Sequence, residues 1–278
     1  MKTCNFTKNF VLLLSVSWTF LMLFHFPTIA ADKNTKMQNR NPLRLVTYNI
    51  RACRGLDDSA GLDPHWAGDV LKDIEPDVAG IQEVDRNNSR SNGEDQIEQL
   101  AEITGLSAFF AKSIGYAQGE YGIALLTKLP IISARREPLP GNEEERVLLE
   151  VEFEDFILFN THLSLTPESR VLSAEIIQRE LSRYQKPVIL VGDMNMSSFQ
   201  EALDLFGETW TFLSPDEPSF PADNPTKRLD YIMIADPTGS IPAASPIWDR
   251  AVIERGVIET TASDHRPVFV ELDLTLVE

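Results

Sequence analysis

Eight short runs along this chain are almost wholly apolar, and most of them break off on a polar residue. They are LRLVTYNI (43–50), PDVAGIQEV (76–84), YGIALLTK (121–128), EERVLLEVEF (144–153), DFILFNTHL (155–163), KPVILVGDMN (186–195), RLDYIMI (228–234) and HRPVFVELDL (265–274). Continuously apolar runs of this length suit strands buried on both faces, whereas VLLEVEF alternates as a half-exposed strand does. Helical spacing occurs in WAGDVLKDI (66–74), DQIEQLAEI (95–103) and PESRVLSAEIIQRELSRY (167–184). In the last of these, Val171, Ile176, Ile177 and Leu181 are expected on one face. Strands alternate with helices early and group together later. That order predicts a layered protein with two sheets packed face to face.

Residues 1–31 read as an export signal. Lys2 and Lys8 form a basic start, Phe10 to Phe26 carries no charge, and Thr28-Ile29-Ala30-Ala31 offers small residues for cleavage. The alternative is an uncleaved membrane anchor, for which the apolar run is slightly short. Residues 32–41 are polar and patternless, as expected of a linker, and residues 42–278 read as one domain. Removing the signal leaves only Cys53, so no internal disulfide is expected. The protein is expected outside the cytoplasm, with no stable membrane span once the signal is cleaved.

Charge narrows the function classes. The sequence has 25 Lys and Arg against 42 Asp and Glu, a net charge of −17; loss of Lys2 and Lys8 takes 25 to 23 and the balance to −19. An acidic surface repels nucleic-acid backbones and supplies little of the counterion release that drives their binding. A small phosphorylated substrate held by a metal ion is not excluded, because the ion inverts the local field.

The polar residues that end the apolar runs carry the candidate chemistry. Asn49 follows LRLVTY, Glu83 follows VAGIQ, Asn160 and His162 close FILFNTH, and Asp193 and Asn195 close VILVGDMN. Asp230 opens a strand, and Asp264-His265 stands just before one. One rim of two sheets is expected to gather them all. Singly, an Asn or Asp after a strand is a turn former and a Glu is solvated. His65, in DPHW at a helix start, keeps that bland reading.

TYNIR (47–51), IQEVD (81–85), NTHL (160–163), GDMN (192–195), RLDYI (228–232) and SDHRPV (263–268) resemble the ordered motifs of the endonuclease/exonuclease/phosphatase superfamily. The resemblance implies a deoxyribonuclease-like α+β fold, a four-layer α/β/β/α sandwich of two packed mixed β-sheets, and hydrolysis of a phosphoester. It also implies roles. Glu83 is the main metal ligand, with Asn49 beside it and Asp264 at a second position. Hard oxygens of this kind suit Mg²⁺ or Mn²⁺. Asp193 orients or deprotonates the attacking water, Asn195 and His162 donate to phosphate oxygens, and Asp230 positions His265. Either Asp193 or His265 is the general base.

Two positions depart from the family pattern. Arg51 stands where some nucleases of the superfamily carry an acidic metal ligand, which argues against a carboxylate-rich two-metal site. Ala52-Cys53 replaces the His-Gly of many bacterial relatives. NTHL resembles the phosphatase-like, sphingomyelinase-like and deadenylase-like branches. The expected partner is therefore a small-molecule or lipid-headgroup phosphoester. The alternatives are a secreted nuclease using the same residues on DNA or RNA, and a non-catalytic binding module. Dispersed Lys and Arg disfavour the nuclease, and a complete set of roles disfavours the binding module.

Overall fold

All eight apolar runs form strands in the computed structural model, which describes residues 42–57, 61–196 and 198–277. The signal expected at 1–31 and the linker at 32–41 lie outside the described residues. The strands are β1 (Leu43–Asn49), β2 (Val78–Arg86), β3 (Ser107–Tyr116), β4 (Gly119–Thr127), β5 (Ser133–Leu139), β6 (Arg146–Glu152), β7 (Ile157–His162), β8 (Val188–Asp193), β9 (Thr211–Phe212), β10 (Asp230–Ala235), β11 (Val252–Val257) and β12 (Val268–Leu272). Two six-stranded mixed sheets result, ordered β11-β12-β1-β2-β4-β3 and β5-β6-β7-β8-β10-β9.

The α-helices among the described residues are α1 (Pro64–Ile74), α2 (Gln96–Thr104), α3 (Pro167–Leu181), α4 (Phe199–Phe206) and α5 (Pro246–Ala251). Asp63 caps α1 by accepting from the His65 amide, and Pro64 occupies the first turn, where no amide donor is needed. His65 is thus an exposed helix-start residue, away from the chemistry.

Burial defines the layers. Between the sheets, Leu45, Val78 and Leu125 meet Leu149, Val191 and Ile232. Leu71 of α1 and Leu100 of α2 cover Val46 and Ile81 on the outer face of one sheet. Ile177 and Leu181 of α3 and Phe206 of α4 cover Leu190 and Tyr231 on the other. The order is helix, sheet, sheet, helix. Each such fully buried side chain contributes about 1.5–3 kcal/mol. Cys53 is buried and free, so the described residues rely on these cores and not on a disulfide. Among the described residues, no helix is long and apolar enough to cross a membrane.

Val171 departs from the expected face of α3. It is exposed, whereas Arg170, Ser173, Ala174, Ile177 and Leu181 are buried. Positions 170, 174, 177 and 181 follow the helical repeat, and position 171 lies about 100° round from 170. The buried stripe is partly polar because Arg170 pairs with Glu201 on α4 and Glu180 pairs with Arg135 on β5.

A polar stitch fixes how closely the sheets approach. Gln82 Nε2 donates to Asn160 Oδ1 at 2.8 Å, and Asn160 Nδ2 donates to Ala124 O at 2.8 Å. A Cβ on Gly80 would lie 2.5 Å from Val191 Cγ2, so only glycine permits this spacing. Asn160 therefore ties the sheets together between the strands and does not join the rim.

Candidate active site

Sheet register places the central residues. His162 ends β7 opposite Asp193, which ends the parallel neighbour β8, and Asp193 is in turn opposite Asp230, the first residue of antiparallel β10. Three adjacent strands thus present His162, Asp193 and Asp230 on one rung. Gly192 makes the approach possible. Its φ is 151°, and a Cβ there would lie 2.1 Å from Thr161 O. His265 arrives from the loop before β12. Its Nδ1 lies 2.9 Å from Asp230 Oδ2, which also accepts from Ser219 Oγ at 2.5 Å.

Asp193 is the hub. Its Oδ2 accepts from Asn49 Nδ2 at 3.0 Å and lies 3.4 Å from His162 Nε2 and 3.7 Å from His265 Nε2. Its Oδ1 accepts from the Asn195 amide at 2.9 Å. Asn195 holds φ 49°, and its side-chain amide donates to Leu163 O at 2.9 Å, which fixes the turn after β8.

Glu83 is not at a strand end. It lies within β2, in a β-bulge where Gln82 and Glu83 together oppose one residue of β4. Its φ of 59° is unusual for glutamate, and such backbone strain costs about 1–3 kcal/mol. The bulge turns the carboxylate toward the rim, where Asn49 Nδ2 donates to Glu83 Oε1 at 3.0 Å. The Asn49 amide therefore bridges Glu83 and Asp193, while its Oδ1 accepts from the Arg51 amide at 3.0 Å. Arg51 also lies against Asp264, Nε to Oδ2 at 3.3 Å. A guanidinium thus faces one of the expected ligand carboxylates.

The expected rim is deeper than a solvent-facing edge. Asn49, Asp193, Asp230, His162 and His265 are all less than 10% exposed. Burial governs their charge. It lifts the Asp193 carboxyl to about 7, with the Asp230 charge adding and His265 opposing. It works against a charged His265, but the Asp230 and Asp193 carboxylates outweigh it and raise that ring to about 10. Burial, reinforced by the cations of Arg146 and His265, holds His162 well below its ordinary value and therefore neutral.

These groups line a cavity of about 570 Å³ with residues that the sequence reading did not single out: Tyr121, Glu143, Glu144, Arg146, Phe220 and Lys227. Phe220 packs against the His265 ring at 4.8 Å between centroids. Arg146 pairs with Glu143 and Glu144, both at 2.9 Å. The one sequence signal was the acidic run Glu143-Glu144-Glu145 abutting a core strand.

The donor set bears on a metal ion. Glu83, Glu143, Glu144, Asp193 and Asp264 face the cavity, against Arg146, Lys227 and the His265 cation. Burial and the neighbouring charges of Glu83 and Glu143 raise the Glu144 carboxyl. A phosphate entering so anionic a space needs a cation, and carboxylate oxygens fit a hard divalent ion. Asp193, Asp230 and His265 also bring ligand atoms within 4.8 Å of one another, but the His265–Asp230 hydrogen bond already uses one nitrogen there.

The model of the Endonuclease/Exonuclease/phosphatase family matches residues 46–265. Exodeoxyribonuclease III of Haemophilus influenzae is 26% identical over 171 residues, which cover 56% of this chain and 58% of that protein. The chain thus matches under two thirds of that relative's length. An endonuclease/exonuclease/phosphatase from Beutenbergia cavernae superposes with a TM-score of 0.65 at 20% identity, over 84% of this chain and 72% of the other. A mannosyl-6-phosphatase from Bacteroides thetaiotaomicron gives 0.62 at 20% identity, over 83% and 99%. D. rerio TDP2, complexed with single-strand DNA product, gives 0.60 at 14% identity, over 84% and 99%. The structural likenesses establish the fold.

Proposed function

Because this chain belongs to the endonuclease/exonuclease/phosphatase family, we propose that it is an exported, divalent-metal-dependent phosphoesterase acting on a small or lipid-derived phosphoester. The observation that carries this reading is the setting of Asp193. Its Oδ2 lies 3.0 Å from Asn49 Nδ2, 3.4 Å from His162 Nε2 and 3.7 Å from His265 Nε2, in the cavity that also holds Glu83.

Asp193 is the general base in this reading. A carboxyl lifted to about 7 can take a proton from water near neutral pH, and Asn49 and the Asn195 amide fix its direction. His265, raised to about 10, stays a cation held by Asp230 and stabilises charge on the phosphoryl oxygens. His162 is neutral and donates a hydrogen bond to the same oxygens. Glu83, steered by Asn49, and Asp264 would hold Mg²⁺ or Mn²⁺, which when bound neutralises phosphate charge and lowers the barrier to attack. Arg51 against Asp264 favours one strong ion position, at Glu83, over two equal ones.

The substrate class rests on charge. Most cations near the site are already engaged: Arg51 with Asp264, Arg86 with Asp95, Arg90 with Asp85 and Arg146 with two glutamates. Few remain to grip a polynucleotide, which needs several phosphate contacts. A nuclease is the second reading, favoured by the match to exodeoxyribonuclease III. Export rests on the basic-then-apolar start of the sequence. Mass spectrometry of the native protein should find an N-terminus near Ala30 or Ala31; full-length protein in a membrane fraction would establish the anchor instead.

Purified protein should hydrolyse a phosphoester panel only with a divalent ion present. Exhaustive EDTA should abolish turnover, and Mg²⁺ or Mn²⁺ should restore it. Undiminished activity after chelation would remove the metal from the reading.

A further inference from the structure

The chemistry just described leaves the phenol of Tyr121 unused. Tyr121 lies on β4, is 9% exposed, and lines the same cavity as Glu83, Asp193 and His265. Its hydroxyl makes no hydrogen bond to a described residue. Two other tyrosines, Tyr48 and Tyr231, also have unpartnered hydroxyls, but theirs are sealed inside the protein. That of Tyr121 borders open space. It offers the cavity a hydrogen-bond donor that phenylalanine, of nearly the same volume, would lack.

The ring is also held with unusual care. The Arg90 guanidinium lies 5.3 Å from the Tyr121 centroid and 4.6 Å from that of Tyr116, and the two rings are 6.1 Å apart. Arg90 is itself locked by two hydrogen bonds to Asp85, Nε at 2.7 Å and Nη2 at 2.5 Å. Asp85 is wholly buried and stands two residues after Glu83. Burying a carboxylate and much of a guanidinium is costly, so the pair is poor evidence of stability alone. The contacts run from the metal-ligand strand, through the loop after it, to a phenol at the cavity wall.

We propose that Tyr121 is a further substrate-contacting residue, its hydroxyl donating a hydrogen bond to a non-bridging phosphoryl oxygen, with Asp85 and Arg90 as the positioning residues that aim it. No proton is transferred: the O–H bond stays intact and only the hydrogen bond strengthens as charge builds on the phosphoryl oxygens. Burial, with the charge of Glu83 beside it, keeps the phenol protonated well beyond neutral pH, as a donor must be. The inference rests on the phosphoesterase reading.

The test compares full-length wild type, Y121F, R90K and Y121F/R90K in Mg²⁺. Turnover of p-nitrophenyl phosphate and bis(p-nitrophenyl) phosphate is measured beside calorimetric binding of inorganic phosphate and a thermal melt. Y121F should lower kcat about 10–100-fold and weaken phosphate binding about tenfold, with the melt unchanged. R90K should lose part of that, and the double variant should fall no further than Y121F. Wild-type kcat and phosphate affinity in Y121F would overturn the proposal. Losses that multiply in the double variant would overturn the positioning role of Arg90. If wild type hydrolyses neither ester, the phosphoesterase reading falls, and phosphate binding still decides Tyr121. Wild type that binds no phosphate overturns both.

Discussion

Asp193 and Asp230 are both carboxylates about 1% exposed on one rung of one sheet, yet their surroundings assign them different work. Asp193 faces the cavity and receives its hydrogen bonds from neutral donors, Asn49 and a backbone amide. Asp230 lies behind His265 and is spent on the imidazole and on Ser219. Asparagine preserves the shape of either side chain while removing its charge. D193N should lower kcat about 10²–10⁴-fold, the usual worth of a positioned base. D230N should leave Asp193 intact but deprive His265 of its main support, so the ring's pKa should fall. Steady-state kinetics with NMR titration of His265 separates the two. An unchanged kcat in D193N, with the fold retained, would remove Asp193 from the mechanism.

Loops between elements decide how the cavity is walled, and Glu143 shows how one carboxylate can hold two of them. It sits in the turn before β6 and accepts from the Leu165 amide at 2.9 Å and from Ser164 Oγ at 2.8 Å, both in the loop after β7. Arg146 adds a third donor at 2.9 Å. Burial opposes ionisation here, but these donors outweigh it and lower the carboxyl from an ordinary 4.5 to about 2. The sign follows. A group with a depressed folded pKa stabilises the protein above its unfolded value and loses that contribution as pH falls toward the folded one. Glu143 should therefore contribute in full above about pH 4.5 and fade toward about pH 2. Acid unfolding followed by circular dichroism should show E143Q less stable at neutral pH, with the gap to wild type closing across that window. A gap that stays constant to pH 2 would show that Glu143 does not act through its charge.

At the scale of the molecule, charge sets what can approach. A balance of −17, or −19 without residues 1–31, raises a barrier to any polyanion. One phosphate meets less of that barrier, since salt at about 0.15 M screens beyond roughly 8 Å. Small or lipid-headgroup phosphoesters should thus turn over with higher kcat/KM than duplex DNA at matched Mg²⁺ and salt. Efficient nicking of duplex DNA with no turnover of small esters would establish the nuclease reading instead. Two sheets pressed face to face also explain why so acidic a chain can gather carboxylates at one point: the cores hold the rung, and the charges have no freedom to separate.

The central strands were legible because burial on both faces demands continuous apolar runs. VLLEVEF, expected to be half-exposed, is instead buried from Arg146 to Val151 because Glu150 is paired with Arg135 and Tyr184. The four that escaped notice, β3, β5, β9 and β11, are the edges of the two sheets. An edge strand faces water and is free to carry charge, as SARREPL does in β5, so its sequence loses the apolar signature. The residues Asn49, Glu83, His162, Asp193, Asn195, Asp230, Asp264 and His265 could be named from their order and spacing, since each is tied to a strand end or a motif. Their depth, the bulge that turns Glu83, and the register that stacks His162, Asp193 and Asp230 were not readable. Nor was the burial within the polar segment after Glu83, where Asp85 at the end of β2 and Asn88 in the following loop are both wholly buried. Local sequence sets which residues can be strand or helix and which carry reactive groups. Only tertiary packing sets which of those groups lose water, and that loss gives Asp193, His162 and His265 their different charges.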